Sequence, residues 1–147
     1  MQMQVTDILR EKGREVVSLP SEATLFEATR VLAQKRIGAI VIRDGQGQLV
    51  GILSERDVVR ALSAESVTAL ARPVTIYMTR AVATCKEADT VEALMEMMTQ
   101  GRFRHVPVLD ENGQLCGLIS IGDIVRAHIE ETLREAGHLR QYIAAAG

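Results

Sequence analysis

An internal repeat constrains the fold of this chain more than any other feature of its sequence. When the sequence is shifted by 66 residues, residues 36–61 align with residues 102–127 without a gap, and 11 of the 26 aligned residues are identical. About two identities would be expected from average residue usage. The alignment also extends backwards, since Thr24 falls on Thr90. The chain is therefore predicted to contain the same structural unit twice.

Each copy is predicted to be a β-α-β-β-α unit, which makes the fold class α/β (α+β). In the first copy, residues 37–42 form a continuous β-branched run of strand length, and the D-G-Q-G that follows favours a hairpin turn. Leu25, Ala28 and Leu32 recur at helical spacing before this run. The remaining predicted elements are strands at 16–19, 49–53, 82–85, 106–109 and 115–119, and helices at 57–62, at 90–100 and from 123 onward.

The expected domain boundaries follow from the repeat. Residues 1–75 comprise the first repeat with an N-terminal segment and a linker, residues 76–129 comprise the second repeat, and residues 130–147 form a C-terminal helical tail. A mixed-charge run at residues 11–15 is interpreted as a solvated connector. The tail carries an apolar stripe spaced by three and four residues: Ile129, Leu133, Ala136, Leu139 and Ile143. This stripe either lies back along the same chain or packs against a second copy.

Composition excludes several classes of function. Only two Phe and two Tyr are aromatic, and 17 Lys+Arg against 19 Asp+Glu give a net charge of −2, which disfavours general binding of nucleic acid. No apolar run approaches the roughly 18 residues that a membrane span requires. The N-terminal sequence lacks the features of a signal peptide, so a cytoplasmic location is expected. The two cysteines, Cys85 and Cys116, are interpreted as free structural thiols.

A repeated polar motif carries the predicted chemistry. Both return strands end in a Ser-x-x-Asp pattern, at Ser54 and Asp57 and again at Ser120 and Asp123. A hydroxyl at a helix start lies beside free backbone N–H groups that attract phosphate oxygens, and a carboxylate one turn later can accept hydrogen bonds from both hydroxyls of a ribose. The same pattern is also a helix capping box. Its occurrence at equivalent positions of two repeats favours nucleotide binding.

Together these motifs resemble the CBS-domain pair (the cystathionine-β-synthase domain, or Bateman module). The resemblance rests on S-E-R-D-V-V-R-A-L in the first repeat and on R-F-R-H-V-P-V-L-D and G-L-I-S-I-G-D-I-V-R in the second, and it covers roughly residues 5–128. The chain is similar in particular to small stand-alone bacterial pairs with a helical C-terminal tail. The resemblance implies tandem repeats packed sheet to sheet with pseudo-two-fold symmetry, a homodimer, and clefts for AMP, ADP, ATP, NAD(H) or S-adenosylmethionine.

The resemblance also implies roles for individual residues. Asp57 and Asp123 would hold ribose hydroxyls, and Ser54 and Ser120 would face phosphate. The other expected ligand-binding residues lie on the strands and at their ends: Ser18, Gly38, Ala39, Ile40, Arg56, Thr84, Arg102, Arg104, His105, Val106 and Pro107. Because residues 102–105 are much more basic than their first-repeat counterparts, two unequal clefts are expected. The second is better suited to an anionic ligand, while Arg56 would compensate in the first.

The expected function is a non-enzymatic adenine-nucleotide sensor that signals through conformational change or through an unknown protein partner. A ligand-independent dimerisation or scaffold protein is the alternative, and the intact Ser-x-x-Asp pairs argue against it. Catalysis and a catalytic cofactor are not expected, because no set of nucleophile, base and orienting residue is evident. His128 and His138 lack the spacing of metal ligands, so no metal site is expected. Neither nucleic acid nor a membrane is an expected partner.

Overall fold

The computed structural model describes residues 2–146, apart from the side chains of Leu139, Tyr142, Ala145 and Ala146. The chain divides into two compact units. The first-repeat unit is the continuous segment Glu15–Val82, and the second-repeat unit combines residues 2–14 with residues 83–146. Each unit contains one three-stranded sheet, which confirms the predicted tandem α+β organisation.

The secondary structure follows the predicted order, with one additional helix at the start. In chain order the elements are α1 (Val5–Lys12), β1 (Ser18–Pro20), α2 (Leu25–Lys35), β2 (Ala39–Arg43), β3 (Leu49–Ser54), α3 (Glu55–Glu65), β4 (Cys85–Lys86), α4 (Val91–Gly101), β5 (His105–Leu109), β6 (Leu115–Ser120) and α5 (Ile121–Ala146). Two short 3-10 helices, Ser66–Ala71 and Val74–Ile76, follow α3.

Helices α2 and α4 begin at equivalent threonine caps. The Glu27 N–H donates to Thr24 Oγ1 at 3.1 Å, and the Ala93 N–H donates to Thr90 Oγ1 at 3.1 Å. Each bond satisfies a backbone donor that has no partner within the first turn of a helix. The predicted apolar face of α2 is buried as expected, down to Leu32 at its far end.

The two sheets have the same topology and register. In the first, β1 pairs parallel with β2 and β2 pairs antiparallel with β3, and β4, β5 and β6 repeat this arrangement. Ala39 lies opposite Ser54 in one hairpin, and His105 lies opposite Ser120 in the other. Both hairpins therefore bring the predicted ligand-binding strand ends beside the serine that begins the next helix.

Helix α1 belongs to the second-repeat unit, not to the first repeat with which the sequence grouped it. Val5, Ile8 and Leu9 are buried in the apolar cluster of that unit. The Val5 N–H donates to the Asp89 carbonyl at 2.9 Å, and the Val91 N–H donates to the Met3 carbonyl at 2.9 Å. The predicted solvated connector at residues 11–15 is wrong in part, because residues 11 and 12 belong to α1, although all five residues are exposed. Helix α1 therefore contributes its apolar face to the core of the second-repeat unit.

Residues 72–78 play the corresponding part in the first-repeat unit. The Val74 N–H donates to the Ala23 carbonyl, and the Leu25 N–H donates to the Arg72 carbonyl. Since residues 23 and 25 are the repeat counterparts of residues 89 and 91, Val74 occupies the place that Val5 has in the other unit. Each unit is thus completed by the segment that precedes the other repeat in sequence. Helix α1 precedes the first repeat and completes the second-repeat unit, and residues 72–78 precede the second repeat and complete the first-repeat unit.

Helix α5 is a single helix of 26 residues, so the predicted tail at residues 130–147 continues the last helix of the second repeat without a break. Val125, Ile129 and Leu133 on this helix are 47%, 54% and 66% exposed. Ile129 and Leu133 therefore do not lie back along the same chain. Ile143 is likewise exposed, and the side chain of Leu139 lies outside the described residues.

Candidate functional site

The Ser54–Asp57 pair lies where β3 passes directly into α3. The Ser54 N–H donates to Asp57 Oδ2 at 2.8 Å, the Ser54 hydroxyl donates to the same oxygen at 3.1 Å, and the Asp57 N–H lies 3.3 Å from Ser54 Oγ. These reciprocal contacts form a capping box. Asp57 is only 8% exposed. The expected capping alternative is therefore correct as a description of local structure.

Capping does not use all of the acceptor capacity of Asp57. Both hydrogen bonds from Ser54 end on Oδ2, and among the described residues no donor is bonded to Oδ1. An ionised carboxylate has about four lone-pair positions. The buried carboxylate thus has unused acceptor capacity at Oδ1.

The Ser120–Asp123 pair repeats this arrangement where β6 passes into α5. The Ser120 N–H donates to Asp123 Oδ2 at 2.8 Å, and the Asp123 N–H donates to Ser120 Oγ at 3.2 Å. Asp123 is 6% exposed. The two carboxylates are the only charged or polar residues classed as buried in the described part of the chain. Two buried acids at equivalent helix starts are the strongest feature of the candidate sites.

Asp123 is bonded to two cations, whereas no cation among the described residues is bonded to Asp57. Lys12 Nζ lies 2.6 Å from Asp123 Oδ2 and 2.8 Å from the Leu118 carbonyl oxygen, and Arg126 Nη2 lies 2.8 Å from Asp123 Oδ1. Burial by itself raises the pKa of Asp123, but the hydrogen bonds from Lys12 and Ser120 outweigh burial, so the pKa lies below its ordinary value. Asp123 is therefore ionised and paired at neutral pH.

Sequence reasoning missed both of these cations. Arg126 lies three residues after Asp123, a spacing at which side chains meet on a helix, so its contact was readable from the sequence. Lys12 precedes Asp123 by 111 residues, and no periodicity links them. Only the placement of α1 in the second-repeat unit brings Lys12 to the site.

The remaining first-repeat residues of the predicted site differ in where they lie relative to the start of α3 and in how far they are buried. Gly38 and Ala39 lie at the start of β2 beside α3, where the Gly38 carbonyl accepts the Glu55 N–H at 3.0 Å. The Ile40 side chain is fully buried in the core of its own unit, so only its backbone is left for a ligand. Ser18 is exposed on β1, and Arg56 is exposed in the first turn of α3.

The second-repeat residues follow the same division. The Arg104 carbonyl accepts the Ile121 N–H at 2.8 Å at the start of α5, and His105 begins β5 opposite Ser120. The other predicted residues of this unit are Arg102, an exposed residue in left-handed conformation that ends α4; Thr84, half-buried before β4; and Val106 and Pro107, both buried on β5. The backbone of residues 104–105 is thus the part of the basic cluster that reaches the helix start.

A cavity lies beside Asp123 within the second-repeat unit. It has a volume of about 300 Å³, at the lower end of the range typical of small-molecule sites. Its polar lining consists of two cations, Lys12 and Arg126, and three carboxylates, Asp123, Glu11 and Glu130, while Met3, Ile8 and Ala127 contribute apolar surface. The cavity therefore combines a paired buried carboxylate, two cations, two further acids and aliphatic walls.

The described residues contain no group of three or more His, Cys, Asp or Glu side chains arranged to hold a metal ion. None of the helices in this part of the chain is long and apolar enough to cross a membrane. The two cysteines are free thiols, as expected from their number. Burial raises the pKa of Cys85 to about 12.

Comparison with solved structures finds close relatives of this fold. A CBS-domain protein of Agrobacterium tumefaciens is 44% identical in sequence with a TM-score of 0.83, covering 87% of this chain and 95% of that one. A CBS-domain protein of Pyrobaculum aerophilum, solved in complex with AMP, is 32% identical with a TM-score of 0.74, covering 82% and 89%. The CBS pair of protein MJ0100, solved with 5′-methylthioadenosine and S-adenosyl-L-methionine, is 27% identical with a TM-score of 0.79, covering 89% and 99%.

Sequence comparison agrees with the structural one. The family model of the CBS domain matches the chain twice, at residues 5–64 and 73–130. The first match begins at α1, which belongs to the second-repeat unit, and the second match begins at residue 73, which belongs to the first-repeat unit. Each match therefore begins with a segment that packs in the other unit. The two matches together cover most of the 147 residues. The chain belongs to the CBS-domain family and carries a tandem pair of these domains.

Proposed function

We propose that this protein is a regulatory module that binds an adenosine-containing ligand, of the class of AMP, ADP, ATP, NAD(H) or S-adenosylmethionine. The observation that carries the proposal is the pair of buried carboxylates, Asp57 and Asp123, each held at the start of a helix by its own serine. Burying a carboxylate costs free energy unless partners compensate. A capping role at an exposed helix start does not require that burial, whereas recognition of a ribose diol benefits from it.

In this proposal Asp57 accepts hydrogen bonds from ribose hydroxyls, and Asp123 accepts one at the lone-pair position that Ser120, Lys12 and Arg126 leave. Ser54 and Ser120 lie beside phosphate at the helix starts. The open Oδ1 atom of Asp57 supports the ribose assignment in the first-repeat unit. The adenine ring is held by strand backbone at residues 38–40 and 104–107 and by aliphatic side chains.

The ligands of related proteins support the adenosine class. AMP occupies the solved Pyrobaculum aerophilum protein, and 5′-methylthioadenosine and S-adenosyl-L-methionine occupy the pair of protein MJ0100. These three compounds share adenosine chemistry and differ in the group at the 5′ position. The shared part is the part that Asp57 and Asp123 would recognise.

Regulation through such a module follows from linkage. A ligand shifts an equilibrium between two conformations only by its difference in affinity for them. The same ligand stabilises the folded state by mass action, by about 2.7 kcal/mol at a hundredfold excess over the dissociation constant. We propose that the change in conformation is transmitted to a partner protein, and that the module itself is not catalytic.

Thermal melting tests the proposal. The parent is melted with adenosine, AMP, ATP, NADH and S-adenosylmethionine, and a saturating ligand should raise its Tm by roughly 5–10 °C, since about 2–4 °C corresponds to 1 kcal/mol at this size. Asp57→Ala and Asp123→Ala should each reduce the shift, and the double variant should abolish it. Glu111→Ala, at an exposed turn carboxylate, is the matched control and should keep the full shift.

Two results would contradict this proposal. If no adenosine compound raises the Tm of the parent, the sensor function fails and the ligand-independent scaffold becomes the better description. If a compound stabilises the double variant as much as the parent, binding is real but these carboxylates do not carry it.

We also propose that the protein is a homodimer in which α5 packs against a second copy. Val125, Ile129 and Leu133 are spaced by four residues on one helix and are about half or more exposed, a pattern that supports a helical interface. Sedimentation should give a dimer for the parent and a monomer for Ile129→Asp with Leu133→Asp. Val67→Asp, at a similarly exposed valine outside α5, should stay dimeric. A monomeric parent would refute the dimer.

A further inference from the structure

The two candidate sites differ in charge although their motifs are identical. Asp123 is bonded to Lys12 and Arg126, whereas no cation among the described residues is bonded to Asp57. Arg60 is the repeat counterpart of Arg126, and it is exposed without a hydrogen bond to Asp57. Asp123 is therefore paired with two cations, in a cavity that Glu11 and Glu130 also line, whereas Asp57 has no described cationic partner.

The difference originates in α1. Val5 corresponds to Val74 through the backbone bonds already described, and Leu9 corresponds to Met78, because each packs over the equivalent glycine of its unit, Gly117 or Gly51. Beyond this matched stretch the two segments diverge, because α1 continues to Lys12 whereas Thr79 pairs with Ile52 through its backbone. The basic side chain at the second site is thus a property of this chain segment and is absent from the repeat itself.

Different donors also satisfy the equivalent strand carbonyls. In the first-repeat unit, the Ile52 carbonyl accepts the backbone N–H of Thr79 at 2.8 Å. In the second, the Leu118 carbonyl accepts Lys12 Nζ at 2.8 Å. Because the ammonium bridges this carbonyl and the Asp123 carboxylate, it is fixed at the site by two hydrogen bonds instead of one.

The bridged ammonium keeps a donor for a ligand. Lys12 carries three N–H groups, of which Asp123 and Leu118 take two, and it lines the cavity together with Arg126. Displacing Lys12 would leave a carboxylate that is only 6% exposed without its closest partner, which is costly. The ion pair is therefore expected to remain when a ligand enters.

We propose that Lys12 determines ligand specificity at the second-repeat site by supplying a fixed positive charge for an anionic group, such as the phosphate of a nucleotide. The inference rests on the proposed function of the same site. The second site then discriminates strongly for a phosphorylated nucleoside over the nucleoside itself, and the first site, with its open carboxylate oxygen, recognises the ribose of both.

Calorimetric titration with AMP and adenosine tests this inference one site at a time. Asp57→Ala leaves the second site intact, and there AMP should bind at least tenfold more tightly than adenosine, the size expected for a hydrogen bond to a charged group. Asp123→Ala leaves the first site intact, and its preference for AMP should be clearly smaller. Adding Lys12→Gln to Asp57→Ala should weaken AMP binding about tenfold and change adenosine binding little. Adding Lys12→Arg should keep the preference for AMP over adenosine.

The outcomes separate this inference from the function on which it rests. A parent that binds neither compound refutes both. A parent that binds, with equal preference for AMP at the two sites, refutes the role of Lys12, and this comparison needs no Lys12 variant to fold. Tighter AMP binding in Lys12→Gln also refutes it, because Lys12 would then compete with the ligand. Far-ultraviolet circular dichroism confirms that the Lys12 variants are folded.

Discussion

The contact between α1 and β6 makes a quantitative prediction about stability. A methyl group on Gly117 would lie 2.7 Å from Leu9 Cδ2 and 3.0 Å from Leu9 Cδ1. Carbon atoms in contact prefer about 3.5–4.0 Å, so the Leu9 side chain would have to move by nearly 1 Å inside a packed core. Gly117→Ala should therefore destabilise the protein by about 1–3 kcal/mol, the usual cost of overpacking.

Removing Leu9 should make the same methyl group tolerable. Leu9 is 1% exposed, so Leu9→Ala alone should cost about 2–5 kcal/mol through lost burial and a cavity. In the double variant the new methyl group meets no leucine carbons and fills part of that cavity. The double variant should therefore be more stable than the sum of the single effects predicts, by about 1–3 kcal/mol, within the range measured for residues in contact.

Urea unfolding with a shared slope measures these differences. Gly45→Ala is the matched control, because a methyl group there meets no atom within 4 Å, and it should change stability by no more than about 0.5 kcal/mol. Additive effects of Gly117→Ala and Leu9→Ala, within about 0.5 kcal/mol, would refute the packing of α1 against this strand. The position of Lys12 at the second site would then lose its structural basis.

Two further predictions follow from ionisable groups. The pKa of Asp123 is lower in the folded protein than its ordinary value of 3.8, so its ionisation stabilises the fold above that value, and the stabilisation is lost as the pH falls through the lower folded pKa. Lys12→Gln should therefore lower the Tm most at neutral pH and converge with the parent towards pH 2; a constant difference across this range would contradict the ion pair. Burial raises the pKa of Cys85 to about 12, so in a Cys116→Ser variant at pH 8 this thiol should react with Ellman's reagent only after unfolding in urea, and a native rate equal to that of free cysteine would show that it is not buried.

The repeat made most of the fold predictable from sequence. Each element of the repeat occurs twice in the chain, so a weak signal in one copy is supported by the other. The strands predicted at 37–42 and 106–109 lie within one or two residues of β2 and β5. Helix α1 was missed for the converse reason. Val5, Ile8 and Leu9 have helical spacing, but their counterparts near Val74 lie in a 3-10 helix, so the repeat offered no matching helix.

The candidate sites likewise contain contacts that could be predicted from sequence and one that could not. Ser54 with Asp57 and Ser120 with Asp123 are local pairs three residues apart, and their geometry follows from a helix start. The bond between Lys12 and Asp123 depends on where an N-terminal segment docks, which only tertiary structure determines. The imbalance between the two clefts that the basic residues 102–105 predict stays a prediction, and the described ion pairs at Asp123 come from Lys12 and Arg126.

The division of the chain between its units has a consequence for the order of synthesis. The first-repeat unit is the continuous segment Glu15–Val82, so all of its residues are synthesised before those of the second repeat, and domains generally fold as units, N-terminal first. Residues 2–14 emerge before the first-repeat unit but have their core partners in residues 83–146. They must therefore wait until the second repeat has been synthesised, and Asp123 acquires its lysine only after the first-repeat unit is complete.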